Sequence, residues 1–315
     1  MNDLSRGPAA FQGAGKRPPY FEGWYYKLLT REGRSLVFIP GISLDSEYPH
    51  SFIQVIDSAG GGSRCIEYPL EAFDFSPRKL DISIGLSRFT KSGLTPDMHR
   101  GPDIVGSVTF RDAVEFPRSK WMPGIMGPFA YLPMRECRHD VIIVRCGLEG
   151  TLMIDGEAIC FDGGSGYVEK DWGSSFPTGY LWMQGCGFHS GASFMLAVAR
   201  VPIAGVCFTG VIGFLYDGRR IYRLATYTGA RVASFTHSGD TTRIVVRAPG
   251  LCLEARASAQ DARALKAPHQ GAMSRSIREC VSSRMEIELK SGGGHTLFTG
   301  CDSTAGVEIC GDFIK

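Results

Sequence analysis

Long apolar runs are missing from this 315-residue sequence. No stretch approaches the roughly 20 apolar residues that a membrane-spanning helix needs. Clustered charge of one sign is missing too: 34 Lys and Arg stand against 32 Asp and Glu, a formal net charge of +2. Without a basic patch, nucleic acid is not an expected partner. Residues 1–19 carry Arg6, Lys16 and Arg17 but no apolar h-region. No secretory leader is therefore expected, and the cytoplasm is the expected compartment. The ten cysteines run from Cys65 to Cys310 with no C-x-x-C pair, which argues against structural zinc and a disulfide framework. Cys207, within Gly205-Val206-Cys207-Phe208, reads as a small core hydrophobe. The seven histidines form no H-x-x-x-H or H-E-x-x-H pair, and no G-x-S-x-G elbow marks a hydrolase. No metal and no cofactor are expected. His50 and His139 lie beside apolar runs and read as hydrogen-bonded structural residues. Helical periodicity is nearly absent, the one candidate being Ser274–Val281.

What is present is glycine, 40 residues of it, joined by 17 prolines and spread along the whole chain. Glycine at each turn between short strands explains that number. Alternating or apolar runs recur at Tyr20–Leu28, Ser35–Leu44, Ser51–Asp57, Leu80–Phe89, Ile104–Arg111, Val141–Gly147 and Gly150–Ile154. They continue through Tyr180–Cys186, Ser193–Val201, Val206–Tyr216, Arg219–Tyr227, Arg231–His237 and Arg243–Arg247, and end in Met285–Leu289, His295–Thr299 and Gly306–Cys310. Asp155-Gly156, Asp217-Gly218, Gly239-Asp240 and Pro249-Gly250 supply turns between them. Strands at this spacing predict an all-β chain of two antiparallel β-barrel domains with little helix. Residues 1–17, rich in Gly, Ala and Arg, read as a disordered tail. The glycine-rich joint Phe161–Gly166 divides the remainder into domains at 18–162 and 163–315. Its Gly163-Gly164-Ser165-Gly166 lacks the G-K-[ST] and the helix of a phosphate loop.

Three clusters bring large aromatics, carboxylates and an amide together. On an extended strand Glu22, Trp24 and Tyr26 share one face, while Tyr25 and Lys27 share the other. In Gly166-Tyr167-Val168-Glu169-Lys170-Asp171-Trp172-Gly173 the same rule puts Glu169 and Asp171 on one face and Lys170 and Trp172 on the other. Tyr180, Trp182 and Gln184 share a face of a third strand. Burying an E-K-D run costs free energy unless partners compensate it. One reading is a solvated edge with Lys170 paired to a carboxylate and Trp172 packed as a cap. The other is a general acid at the rim of an aromatic pocket, whose ring faces stabilise a developing cation. Met122–Phe129, an apolar loop punctuated by Pro and Gly, reads either as a lid or as a buried connection.

These clusters carry a family resemblance. Phe21-Glu22-Gly23-Trp24-Tyr25-Tyr26-Lys27 resembles the F-E-G-W-Y-[FY]-[KR] opening of tocopherol cyclase-like proteins. Ser51-Phe52-Ile53-Gln54-Val55 and Pro123–Phe129 resemble two further blocks. Gly166–Gly173 with Ser175-Phe176-Pro177 resembles the G-Y-[IVL]-E-K-[DN]-W-G-x-S-F-P signature. Trp182-Met183-Gln184 follows, and Thr304-Ala305-Gly306-Val307-Glu308 resembles the closing A-G-x-E element. The resemblance spans residues 18–312.

It implies a lipocalin-related architecture and a hydrophobic partner: a prenylated quinol, an isoprenoid or a lipid, collected by transient contact with a membrane. It also implies a cofactor-independent cyclisation, in which an alkene is protonated and a phenol oxygen attacks. Carried onto this sequence, Asp171 or Glu169 supplies the proton and the other carboxylate accepts the phenolic one. Trp24, Trp172 and Trp182 shield the cation, Gln184 orients the phenol, and Glu22 and Tyr26 complete the pocket. Cys186 departs from the family pattern, which places an Asn there. A lipocalin-like carrier and an isoprenoid hydratase or isomerase are the alternative expectations.

Overall fold

The computed structural model describes residues 7–60, 62–132, 136–203, 206–258 and 263–314. It is all-β: 23 strands and three short 3-10 turns, with no α-helix among the described residues. The ten cysteines are free thiols. The chain forms two compact units, one of residues 1–176 with 266–276, the other of residues 177–265 with 277–315. The boundary thus falls after Phe176 and not at the glycine joint of residues 161–166. Those glycines serve a turn inside the first unit, where Gly164 donates to the Phe161 carbonyl at 2.9 Å.

The first unit is a 13-stranded antiparallel sheet curled into a nearly closed barrel. From one edge it runs through Gly62–Pro69, His50–Asp57, Ser35–Leu44, Tyr20–Leu29, Ser165–Gly173, Cys137–Ile154 and Ile104–Glu115. Short strands Gly93–Thr95, Ser87–Thr90, Asp81–Ile84 and Phe73–Phe75 finish the path. Alternation does the work that the sequence predicts: Trp24, Tyr26, Leu28, Phe38, Phe89, Leu94, Phe110 and Val168 meet inside one core. Tyr26 stacks obliquely on Phe89 and Phe110 at 5.6 and 6.2 Å, and its hydroxyl is spent on the Thr90 carbonyl at 3.1 Å. The Asp155-Gly156 hairpin forms with both residues at positive φ, 50° and 86°, as a two-residue primed turn requires.

Residues 7–17 contradict the expected disordered tail. Ala10 and Phe11 are buried, and Phe11 joins the barrel core beside Trp24, Phe73 and Phe75. The expected helix at Ser274–Val281 is also absent. That stretch lies in the long strand Ala272–Ser291, whose alternating exposure across Val281–Ile287 shows period two. The turn end of the Arg263–His269 and Ala272–Ser291 hairpin belongs to the first unit. Gln54 holds it with both ends of its carboxamide: Nε2 donates to the Lys266 carbonyl at 3.0 Å, and Oε1 accepts from the Lys266 amide at 3.1 Å. The amide side chain thereby imitates a strand neighbour, a use of the Ser51–Val55 block that side-chain type alone does not reveal.

The second unit is a 10-stranded antiparallel sheet. Its order is Ile221–Arg223, Val206–Tyr216, Ser193–Ile203, Tyr180–Gly185, Thr296–Cys310, Ala272–Ser291, Leu251–Ser258, Thr241–Ala248 and Arg231–Ser238, with Arg263–His269 paired to Ala272–Ser291. Leu181, Met183, Phe194, Leu196, Ile244, Leu253 and Ile287 are among the residues of its own separate core.

Candidate functional site

The motif blocks, far apart in the chain, become neighbouring strands. In the first unit Tyr20–Leu29 pairs antiparallel with Ser165–Gly173, in a register that sets Glu22 against Trp172, Trp24 against Lys170 and Tyr25 against Glu169. In the second, Tyr180–Gly185 pairs with Thr296–Cys310, so that Trp182 faces Glu308 and Gln184 faces Gly306. Cross-strand partners share a face. The first pairing therefore produces two different chemical surfaces, one on each side of the sheet.

The inner surface holds a buried ion pair. Lys170 Nζ lies 2.6 Å from Glu22 Oε1, and neither side chain has measurable exposure. An ammonium has three protons to give. The other two go to the carbonyls of Pro8 and Ala10, at 2.9 and 2.6 Å. The ammonium also sits 4.9 Å from the Trp24 ring centre and 4.7 Å from that of Trp172, within cation–π range of both. Glu22 accepts the Gln12 amide at 2.9 and 3.0 Å and the Tyr20 hydroxyl. Burial, with the Glu22 carboxylate adding to it, pushes the Tyr20 phenol well above its ordinary range. Burial likewise pulls Lys170 below its ordinary value, against the opposing pull of Glu22. This chemistry is saturated, because the chain itself fills each position.

The outer surface differs. Tyr167, Glu169 and Asp171 alternate along Ser165–Gly173, and His139 stands across from Asp171 on Cys137–Ile154. The imidazole bridges the two carboxylates, with Nδ1 3.0 Å from Asp171 Oδ1 and Nε2 3.4 Å from Glu169 Oε2. Tyr167 donates its hydroxyl to the same Glu169 oxygen at 2.6 Å, and the Cys137 thiol reaches Asp171 Oδ1 at 3.5 Å. Burial works against a charge on His139, but Asp171 and Glu169 outweigh it and hold the ring well above its ordinary value of 6.5. Glu169 is buried, whereas the Asp171 side chain keeps 24% of its exposure. Gly23, opposite Asp171, adds no side chain on that row.

One ligand atom from each of His139, Glu169 and Asp171 lies within 4.8 Å of the others, and these are types that hold a divalent ion. In the present geometry both ring nitrogens are directed at carboxylates instead. The strand is anchored from behind. Asp140 accepts the Ile125 amide at 3.2 Å and pairs with Arg118 at 2.7 Å, while His139 N donates to Met126 Sδ at 3.3 Å. The Met122–Phe129 loop is therefore tied to this strand.

In the second unit Tyr180 donates to Glu308 at 2.9 Å, joining the W-M-Q and A-G-x-E blocks. Gln184 is fully buried, and neither atom of its carboxamide has a hydrogen-bond partner among the described residues. Trp182 is nearly buried.

The model of the tocopherol cyclase-like family matches residues 86–311. The chain belongs to this family. The matched span holds the Gly166–Gly173 signature and the closing block; Phe21–Lys27 lies outside it. A probable chloroplastic tocopherol cyclase of Oryza sativa subsp. japonica is 24% identical over 278 residues, an alignment covering 68% of this chain. This chain spans 58% of that relative's length. Among solved structures, a protein assigned as AttH from Nitrosomonas europaea superposes with a TM-score of 0.52 at 12% identity, covering 91% of this chain and 92% of that one. Kievitone hydratase of Nectria haematococca superposes with a TM-score of 0.52 at 13% identity, covering 98% and 96%. Both share the fold.

The expected single pocket does not form as drawn. Asp171 and Glu169 stay together, but Trp24 and Trp172 lie on the opposite face of the same sheet, with Glu22 and Tyr26. These two tryptophans cannot shield a cation beside Asp171, because the backbone of the sheet stands between. Trp182 and Gln184 belong to the second unit. His139, read as a structural histidine, is the central group of the outer cluster. Its signal in the sequence is faint: Arg138-His139-Asp140 is a charged triplet lying within the long strand Cys137–Ile154.

Proposed function

We propose that this family member adds an oxygen nucleophile across a trisubstituted alkene of a prenylated phenol or similar isoprenoid, by acid–base chemistry of its own side chains. The observation that carries the reading is His139 held between Asp171 and Glu169. The proton held on His139 passes through Asp171, the more exposed carboxyl, to the less substituted alkene carbon: an N–H bond of the imidazolium breaks and a C–H bond forms. The imidazole left behind stays hydrogen-bonded to Asp171. The phenol oxygen closes on the tertiary cation, forming the C–O bond, and its proton passes to Glu169, whose oxygen Tyr167 orients. Water in place of the phenol makes the same sequence a hydration, a reading favoured by the partial exposure of Asp171 and by the shared fold with a hydratase.

The test is turnover of a prenylated hydroquinone in D2O, followed by mass spectrometry. One deuterium is expected on the former alkene carbon. Asp171→Asn and Glu169→Gln are each expected to lower kcat by about 100- to 10,000-fold, the usual range for loss of a general acid or base. Full activity in Asp171→Asn removes that residue from the scheme. Tight binding of the quinol with no turnover by the wild-type chain replaces the enzyme with a carrier.

A further inference from the structure

The inner cluster has the composition of a ligand site, and a ligand is already in it. From residues 7–12 the chain offers the Pro8 and Ala10 carbonyls to Lys170 and the Ala9 carbonyl to Trp24 Nε1 at 3.1 Å. It offers the Gln12 amide to Glu22. Phe11 enters an aromatic cage, with ring centres 5.0 Å from Phe73, 4.4 Å from Phe75 and 6.4 Å from Trp24. No strand pairing includes residues 7–17 among the described residues. The segment is held by side chains reading its backbone and by one buried ring, so it can leave without breaking a sheet ladder. The converse is just as specific: without the segment Lys170 keeps one acceptor of three, and a buried ammonium short of acceptors is costly.

From this complementarity we infer that the inner face of the first unit's sheet around Lys170 and Glu22 is a peptide-binding site, occupied in cis by residues 7–12 as a removable strap. Its ligand is a segment turned so that its Ala10 amide meets the Gly7 carbonyl at 3.0 Å, with small residues before one phenylalanine, read by Lys170, Trp24 and Glu22. Glu22 and Lys170 of the two signature blocks are latch residues of that site, on the face of the sheet away from His139 and Asp171. The inference stands independently of the reaction proposed above.

Hydrogen exchange on the full chain tests it, together with a fluorescent peptide of residues 1–17. In the wild-type chain the Gln12 amide is expected to exchange at least about 100-fold more slowly than in the free peptide, as a bond to a buried carboxylate implies. Phe11→Ala and, separately, Lys170→Met are expected to free the segment, read as rapid exchange across residues 8–12. The peptide is expected to bind saturably to the Phe11→Ala chain, whose latch is intact and vacant, and not to the wild type or Lys170→Met. A peptide carrying the same Phe11→Ala change is expected not to bind. Gln12 exchanging at the free rate in the wild-type chain overturns the inference. So does failure of the peptide to bind a Phe11→Ala chain that keeps its far-UV circular dichroism and has lost its strap protection.

Discussion

Replacing Lys170 by methionine asks the most of the inner ion pair. Methionine nearly matches the apolar stem, so the change removes one charge and three hydrogen bonds, to Glu22, Pro8 and Ala10. It also removes the cation seated between Trp24 and Trp172. The Glu22 carboxylate loses its counter-ion and, with residues 8–12 released, also the Gln12 amide, which leaves the Tyr20 hydroxyl as its partner. Breaking a buried pair from one side costs about 3–5 kcal/mol, most of it the stranded charge. In a unit of this size each kcal/mol moves the midpoint by about 2–4 °C, so Tm is expected to fall by roughly 6–20 °C. The double variant Glu22→Gln with Lys170→Met strands no charge and is expected to recover at least about 2 kcal/mol relative to the sum of the single changes. Calorimetry and circular dichroism at neutral pH read both numbers. A single variant that melts within about 2 °C of wild type, or a strictly additive cycle, refutes the claim that these groups act as one unit.

Three further outcomes are expected. His139 is held above 6.5 in the folded chain, facing Asp171, Glu169 and the Cys137 thiol. Its contribution to stability is complete below pH 6.5 and declines as pH rises through the elevated folded value, so His139→Asn should flatten the alkaline limb of a Tm–pH curve; an unchanged limb rejects the assignment. Gln184→Leu removes a buried amide that has no hydrogen-bond partner among the described residues, so it should leave stability unchanged or raise it by about 1–3 kcal/mol in urea unfolding; a large loss of stability would show the amide to be structural. Gly271 sits at φ 84° in the Gln270-Gly271 turn, and a Cβ there would lie 2.8 Å from the Leu44 carbonyl and 2.9 Å from the Tyr20 amide. Gly271→Ala is expected to cost at least about 1–2 kcal/mol from the left-handed backbone alone, measured by urea unfolding.

Much of this was readable from residue order because strand alternation is a local rule. The opposition of Glu169 and Asp171 to Lys170 and Trp172 follows from period two, and so does the shared face of Glu22, Trp24 and Tyr26. They do not gather around one substrate, since a sheet has two sides. Residues 7–17 read as disordered because backbone carbonyls, invisible in composition, supply most of their anchorage. Ser274–Val281 carries an i, i+4 apolar pair that suits a helix, but Ile277 and Val281 are also an even number apart and suit a strand equally. His139 is hard to single out because its partners lie 30 and 32 positions away. Only the long strand Cys137–Ile154 brings it to them, and the apolar run at Val141 hides that strand's true beginning.

The hairpin turn at residues 266–276 has a consequence for how the chain is made. Its Gly271 amide donates to the Ser174 carbonyl, and Ser43 and Gln54 hold the rest of it. The first unit can therefore acquire its last piece only after residue 276 has left the ribosome, when most of the second unit has been synthesised. Its central pairing already joins strands more than 130 positions apart, so loop closure is slow for this barrel even in the free chain. The strands of the first sheet are all made once Gly173 has been added, so a nascent chain carries that barrel without its hairpin turn until residue 276 follows, an interval in which chaperones would find their substrate.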